Sequence, residues 1–261
     1  MPTDPRWQLQ TPINAIIFDC DGTLSTIEGI DELANENHVG TSVQLLTSEA
    51  MGKTGINPDL YRERLQLVQP NKLQVDKLGE TYYAHRVPDA CEVIAIFQRL
   101  NKTIYIISAG LAPAVIQFGD FLKIPTSNIF AVDVSFDAND NYQDFDSQSP
   151  MTMRDGKRTI VSELKAANGR VAHIGDGLND YIAHDLSTRF IGYGGVYYRK
   201  NIAADCEFYI KAKSLAAMLP LLLTQQEVIT LTAQESEIYK KGLKDINNGM
   251  VEINNIQDNY A

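Results

Sequence analysis

Asp19 and Asp21 stand two residues apart in the stretch IIFDCDGTL (residues 16–24), where an apolar run gives way to a turn. On an extended chain, residues i and i+2 point to one face, so the two carboxylates are held close together. Like charges so placed are costly unless a cation or a proton sits between them. Taken alone, the stretch also reads as a strand followed by an ordinary Asp-Gly turn. Three further segments carry chemistry: SAG (108–110), DGKR (155–158) and GDGLND (175–180). They add a hydroxyl with backbone N–H groups, a cation, and two more carboxylates. Asp176 and Asp180 are spaced i, i+4 over a turn, so both can face one point. Singly, each has a plain reading: Ser108 as a helix N-cap, Lys157 as a surface lysine, Asp176 as a turn residue. Jointly, the inventory fits phosphoryl transfer to a carboxylate, assisted by one hard divalent cation.

Four such segments need a scaffold that brings them to one edge. Short apolar runs rich in β-branched residues recur as candidate buried strands: INAIIF (13–18), TIYIIS (103–108), NIFAVDV (128–134), RVAHIG (170–175) and RFIGYG (189–194). Each ends in a Gly, Ser or Asp turn, and helical patterns lie between most of them. That alternation predicts an α/β fold, a doubly wound and mainly parallel sheet with helices on both faces. Ligands of such sheets bind at the carboxyl ends of the strands, where all four segments fall. The stretch VDVSFDANDNYQDFD predicts a β-hairpin over residues 132–145.

One interval breaks the rhythm. Between Ser25 and about Arg86 no strand candidate occurs, and four helix-like segments follow one another: EGIDELANENHV, SVQLLTSEAMG, NPDLYRERLQLV and NKLQVDKLGETYYA. The second places Val43, Leu46 and Ala50 at helical spacing, and the third does so with Leu60, Leu65 and Val68. The expected organisation is an α/β catalytic core over residues 12–24 and 88–222, with a small helical cap inserted at 25–87. Beyond about residue 222 the sheet pattern stops. Residues 223–261 are expected to form a helical extension around TAQESEIYKKGLKDINN, with a loose polar end. That helix is expected to serve packing or contact with a second copy, which makes a homodimer one expected state.

Composition sets the outer bounds. The chain has 261 residues, 44% hydrophobic and 21% charged, which suits a soluble globular protein with a sizeable core. A formal net charge of −10 argues against a general nucleic-acid or acidic-membrane surface. An anionic substrate then needs local positive charge at its site. Cys20, Cys91 and Cys206 have no metal-binding spacing and read as reduced thiols. The opening MPTDPRWQLQTP lacks a basic n-region and an apolar h-region, so no signal peptide is expected. No apolar run approaches the roughly 18 residues of a membrane span, and a cytoplasmic location is expected. MGKTG (51–55) resembles the end of a phosphate-binding P-loop, but the required earlier glycine is Thr47 and no strand precedes it.

The four chemical segments together resemble the signature of the haloacid-dehalogenase-like hydrolases. Within that superfamily, residues 13–220 resemble the phosphoserine phosphatases. The narrower likeness rests on EGIDELA (28–34), AMG (50–52), RLQLVQP (64–70), NYQDFDSQSP (141–150) and IGYGGVYYRKNIA (191–203). The resemblance implies a Rossmann-like hydrolase core and a phosphomonoesterase that uses Mg²⁺. It makes Asp19 the nucleophile that becomes an aspartyl-phosphate, and Asp21 the general acid and base. It assigns the cation to the Asp19 carboxylate, the Asp21 backbone carbonyl and Asp176, with Asp180 supporting the metal shell and positioning Lys157. Ser108 and the amides of Ala109 and Gly110 would hold phosphate oxygens at a helix start, and Lys157 would pair with phosphate and the aspartate. Glu28 is assigned to a substrate ammonium and Arg64 to a substrate carboxylate, with Met51 and Asn179 also binding substrate.

The implied reaction is hydrolysis of O-phosphoserine to serine and phosphate, a step of serine biosynthesis. Two alternatives stand beside it: hydrolysis of another small phosphorylated metabolite, and a catalytically weak binding protein on the same fold. The sequence departs from the family pattern in the cap. Lys53 stands where a second glycine follows MG, and Ile56-Asn57 where a Pro-Phe pair is usual. The phosphate loop reads SAG rather than SGG.

Overall fold

The computed structural model describes residues 7–51 and 57–254, with the backbone alone over 47–51. Seven strands form one sheet: β1 (Ala15–Phe18), β2 (Thr103–Leu111), β3 (Ile129–Val132), β6 (Val171–Gly175), β7 (Arg189–Tyr193), β8 (Phe208–Ile210) and β9 (Val251–Ile253). Their order is β3-β2-β1-β6-β7-β8-β9, and only the β8–β9 pairing is antiparallel among the registers described. β4 (Val134–Phe136) and β5 (Tyr142–Phe145) make the expected hairpin as a separate two-stranded sheet. Every residue of β1, β6 and β7 is buried, His173 and Arg189 included, which is why these strands read as largely apolar runs rather than as alternation.

All four helix-like segments of the inserted interval are helices: α1 (Gly29–Glu36), α2 (Gly40–Met51), α3 (Pro58–Val68) and α4 (Lys72–Ala84). Their starts are written in local chemistry. Asn57 caps α3 by accepting from Leu60 N at 3.0 Å, with Pro58 at the first helical position. Asn71 and Gln74 close a reciprocal capping box at the start of α4. The core then resumes through α5 (Ala90–Arg99), α6 (Ala112–Phe121) and α7 (Gly156–Asn168). After β6 come α8 (Leu178–Tyr181), α9 (Lys200–Asp205), α10 (Met218–Leu222), α11 (Gln225–Ile229) and α12 (Ala233–Asn247).

The chain divides into two compact units. One runs through Phe18, Val87–Ile104 and from Val161 onward; the other comprises Asp19–Arg86 and Tyr105–Ile160. In the first unit, β1 and β6 pair in parallel with Phe18 opposite Ile174. The next residues of these strands lead into Asp19 and into Gly175-Asp176, so both acidic turns begin at the carboxyl edge of adjacent strands.

One expectation is corrected. The sheet does not stop near residue 222: β9 pairs with β8, Val251 opposite Ile210, so part of the terminal segment expected to be loose is edge strand. At three residues each, β8 and β9 are too short to show a period in sequence. α12 is the helix expected in the extension, and its Lys241 and Glu235 pair with Asp89 and Arg99 of the same unit. Among the described residues, no helix is long and apolar enough to cross a membrane.

Candidate active site

Asp19 follows the last residue of β1 and is buried. Its Oδ1 accepts from Cys20 N at 2.7 Å and lies 2.7 Å from Lys157 Nζ. Lys157, also buried, is the second residue of α7. The helix can start there because position 156 is glycine: a Cβ on Gly156 would lie 1.6 Å from the Pro150 carbonyl oxygen. Lys157, expected from sequence to pair with Asp19, lies against its carboxylate. Between the two aspartates, burial pushes the Cys20 thiol well above its ordinary range, and the Asp21 and Asp19 charges push it further. Cys20 is held as a neutral thiol.

The Asp21 carboxylate is bound at both oxygens. Oδ1 accepts from Gly29 N at 2.7 Å and from the Tyr82 hydroxyl at 2.7 Å. Oδ2 accepts from Ser108 Oγ at 3.1 Å, and Ser108 Oγ in turn accepts from Gly110 N at 2.8 Å. The turn after Asp21 is closed by the amides of Leu24 and Ser25 on the Cys20 carbonyl, with Gly22 at a φ of 68°. Ser108, Ala109 and Gly110 are the expected phosphate-loop residues, but they do not open a helix. β2 runs on through Leu111, and α6 begins at Ala112. The sequence reads as a turn because Gly and Ala interrupt the apolar run; the register with β3 does shift between Ile107 and Leu111, but Leu111 pairs again with Val132 and extends the strand. The Ala109 carbonyl accepts from the Tyr61 hydroxyl at 2.8 Å, tying α3 to this strand end.

In the other unit, Asp176 and Asp180 are both buried beyond β6. Gly175 leaves room for the second carboxylate, since a Cβ there would lie 2.1 Å from Asp180 Cγ. Asp180 accepts from Gly177 N at 3.2 Å and lies 3.3 Å from His173 Nε2. Asp176 Oδ2 accepts from Arg199 Nε and Nη2 at 3.0 and 2.8 Å. Asn179 is half-buried in α8. Asp19, Asp176 and Asp180 can each offer a carboxylate oxygen to a metal ion. Carboxylate oxygens of this kind suit a hard cation such as Mg²⁺.

The expected substrate-binding side chains divide. Glu28 is half-buried immediately before α1, and Arg64 is half-buried in α3. Arg64 Nε is buried with no hydrogen-bond partner among the described residues. The side chain of Met51 and all of Lys53 and Ile56 lie outside the described residues. Asn57 serves as the cap of α3. Sequence reasoning missed Tyr82, Tyr61, His173 and Arg199. Arg199 lies within the IGYGGVYYRKNIA segment already singled out, and its charge next to a glycine-rich turn was a usable signal. Tyr82 carried none, being one aromatic among the apolar positions of a helix.

A family model described as haloacid dehalogenase-like hydrolase matches residues 13–183. Curated relatives include the phosphoserine phosphatase of Rattus norvegicus, 34% identical over 199 residues, covering 76% of this chain and 88% of that protein. The chloroplastic phosphoserine phosphatase of Arabidopsis thaliana is 30% identical over 216 residues, covering 80% of this chain and 72% of its own length. Among solved structures, a phosphoserine phosphohydrolase-like protein from Francisella tularensis superposes with a TM-score of 0.70 at 23% identity, covering 81% of this chain and all of the other. A phospho-aspartyl intermediate analogue of phosphoserine phosphatase superposes with a TM-score of 0.69 at 21% identity, covering 82% of this chain. At those identities the solved structures establish the shared fold.

Proposed function

The chain belongs to the haloacid dehalogenase-like hydrolase family, and on that premise we propose that it hydrolyses O-phosphoserine to serine and phosphate through an aspartyl-phosphate on Asp19. It is a phosphoric monoester hydrolase. The observation that carries the reading is the pair of turn carboxylates in different settings: Asp19 against Lys157 at 2.7 Å, Asp21 against the neutral donors Gly29, Tyr82 and Ser108. Two carboxylates with different partners suit two different roles.

In this reading an Asp19 oxygen bonds to phosphorus as the ester P–O bond breaks, and the departing alkoxide takes a proton from Asp21. Water then attacks the phosphorus and gives a proton to Asp21, and the Asp19 carboxylate is regenerated. Lys157 offsets negative charge between nucleophile and phosphate, and Ser108 with the amides of Ala109 and Gly110 binds phosphate oxygens. Mg²⁺ would be held by the Asp19 carboxylate, the Asp21 backbone carbonyl and Asp176, with Asp180 in support. When bound, it supplies charge neutralisation at the transferring phosphoryl group. Glu28 takes the substrate ammonium and Arg64 its carboxylate, with Met51 and Asn179 completing the pocket. Functionally, residues 25–87 act as a cap on the core of 12–24 and 88–222, and 223–261 form an extension.

Phosphate release from O-phosphoserine, with Mg²⁺ and with chelator, tests the proposal. Turnover is expected only with the cation, and Asp19→Asn abolishes it because an amide neither attacks phosphorus nor supplies the charge. Turnover by Asp19→Asn near the parent rate overturns the mechanism. A screen of small phosphomonoesters in which another compound is hydrolysed far faster overturns the substrate.

A further inference from the structure

The proposed acid and base, Asp21, is gripped by a residue that none of the site motifs contains. Tyr82 lies on α4, fully buried, and its hydroxyl donates to Asp21 Oδ1 at 2.7 Å. Gly29 N donates to the same oxygen at 2.7 Å, while Oδ2 meets Ser108 Oγ, a proposed phosphate ligand. An oxygen already accepting two hydrogen bonds has no room for a third hydrogen, so a proton carried by this carboxyl belongs on the other oxygen. That oxygen is the one beside Ser108.

We propose that Tyr82 is the positioning residue for Asp21, fixing which carboxyl oxygen carries the transferable proton and holding it toward the phosphate loop. The inference rests on the functional reading above. The Tyr82 ring stacks on Phe118 at 5.7 Å between centroids, so packing holds the ring while the hydroxyl points at Asp21. The hydroxyl is buried with the Asp21 carboxylate as its acceptor. Position 29 is glycine where the hydroxyl needs the space: a Cβ on Gly29 would lie 2.0 Å from the Tyr82 oxygen. Any side chain there displaces the hydroxyl from its seat. A rotamer-locked donor on a helix also keeps the carboxylate from rotating, which matters because proton transfer tolerates little misplacement.

The discriminating readout is leaving-group dependence. Serine leaves as a poor alkoxide that needs a proton from Asp21; 4-nitrophenolate leaves without one. kcat/KM covers only the steps through departure of the leaving group, so the later base role of Asp21 does not enter. Tyr82→Phe keeps the ring and removes the donor. It is expected to lower kcat/KM for O-phosphoserine by about 10-fold, part of the roughly 10²–10⁴-fold that acid catalysis supplies, and to lower that for 4-nitrophenyl phosphate far less. Gly29→Ala, which keeps its own N–H, is expected to give the same asymmetry. In an Asp21→Asn background, Tyr82→Phe should add no further loss for O-phosphoserine. Equal losses for the two esters, or none, overturn the inference while leaving the functional reading standing. A parent enzyme that hydrolyses neither ester overturns both.

Discussion

Lys157 Nζ lies 2.7 Å from Asp19 Oδ1, and both side chains are nearly sealed from solvent, at 8% and 9% exposure. A buried ion pair is held by what surrounds it, and removing one partner strands the other charge. Lys157→Ala is therefore expected to cost about 3–5 kcal/mol of stability and to lower kcat by about 10²-fold or more. Lys157→Arg should recover much of the stability but little of the rate, because a planar guanidinium does not fit a seat shaped for a compact ammonium. Denaturation curves beside phosphate-release rates test both. A Lys157→Ala enzyme within a few-fold of the parent rate refutes a charge role beside Asp19.

Arg64 carries a buried Nε with no hydrogen-bond partner among the described residues. A buried donor without a partner is costly, and a substrate carboxylate would satisfy it. Arg64→Ala should lower kcat/KM for O-phosphoserine by roughly 2–5 kcal/mol of binding free energy, against a small effect on an ester without a carboxylate. If Arg64 only braces the helices, both esters suffer alike.

Asp31 offers a pH test on α1. Burial raises its carboxyl above the usual range; the Arg64 guanidinium works against this and the Asp21 charge adds to it. A carboxyl that holds its proton more tightly folded than unfolded stabilises the fold at low pH. That contribution is present below the unfolded value of about 3.9 and is lost as pH rises through the folded one. Asp31→Asn, which cannot ionise, should melt higher than the parent at pH 7, with the gap closing toward pH 4. A gap that is absent at pH 7, or that grows on acidification, refutes this.

Lys102 is buried and donates to the Ile13 carbonyl at 2.9 Å and to Glu227 Oε1 at 2.5 Å, far from the catalytic turns in sequence. Glu227 also closes the capping box of α11 through Thr224. Glu227→Ala is expected to destabilise the fold by about 3–5 kcal/mol, since it leaves an ammonium buried without its counter-charge. Turnover per folded molecule should be unchanged. An unaltered denaturation midpoint would falsify this expectation.

The sequence by itself determined the strands buried on both faces, because their apolar runs need no partner to be recognised. It also determined the capped helices α3 and α4, whose start signals lie within a few residues of one another. It singled out Asp19, Asp21, Ser108, Lys157, Asp176 and Asp180 as candidates, because residue type and position in the chain carry that information. Tertiary structure alone decided what each of these groups touches. Tyr82 reaches Asp21 across 61 residues and Arg199 reaches Asp176 across 23, separations over which no local pattern operates. It decided that the strand resumes at Leu111 after an irregularity over Ser108–Gly110, where the register with β3 shifts. It also decided that Val251–Ile253 close the sheet edge. Three residues carry too little periodicity to declare themselves, and only pairing with β8 makes them a strand.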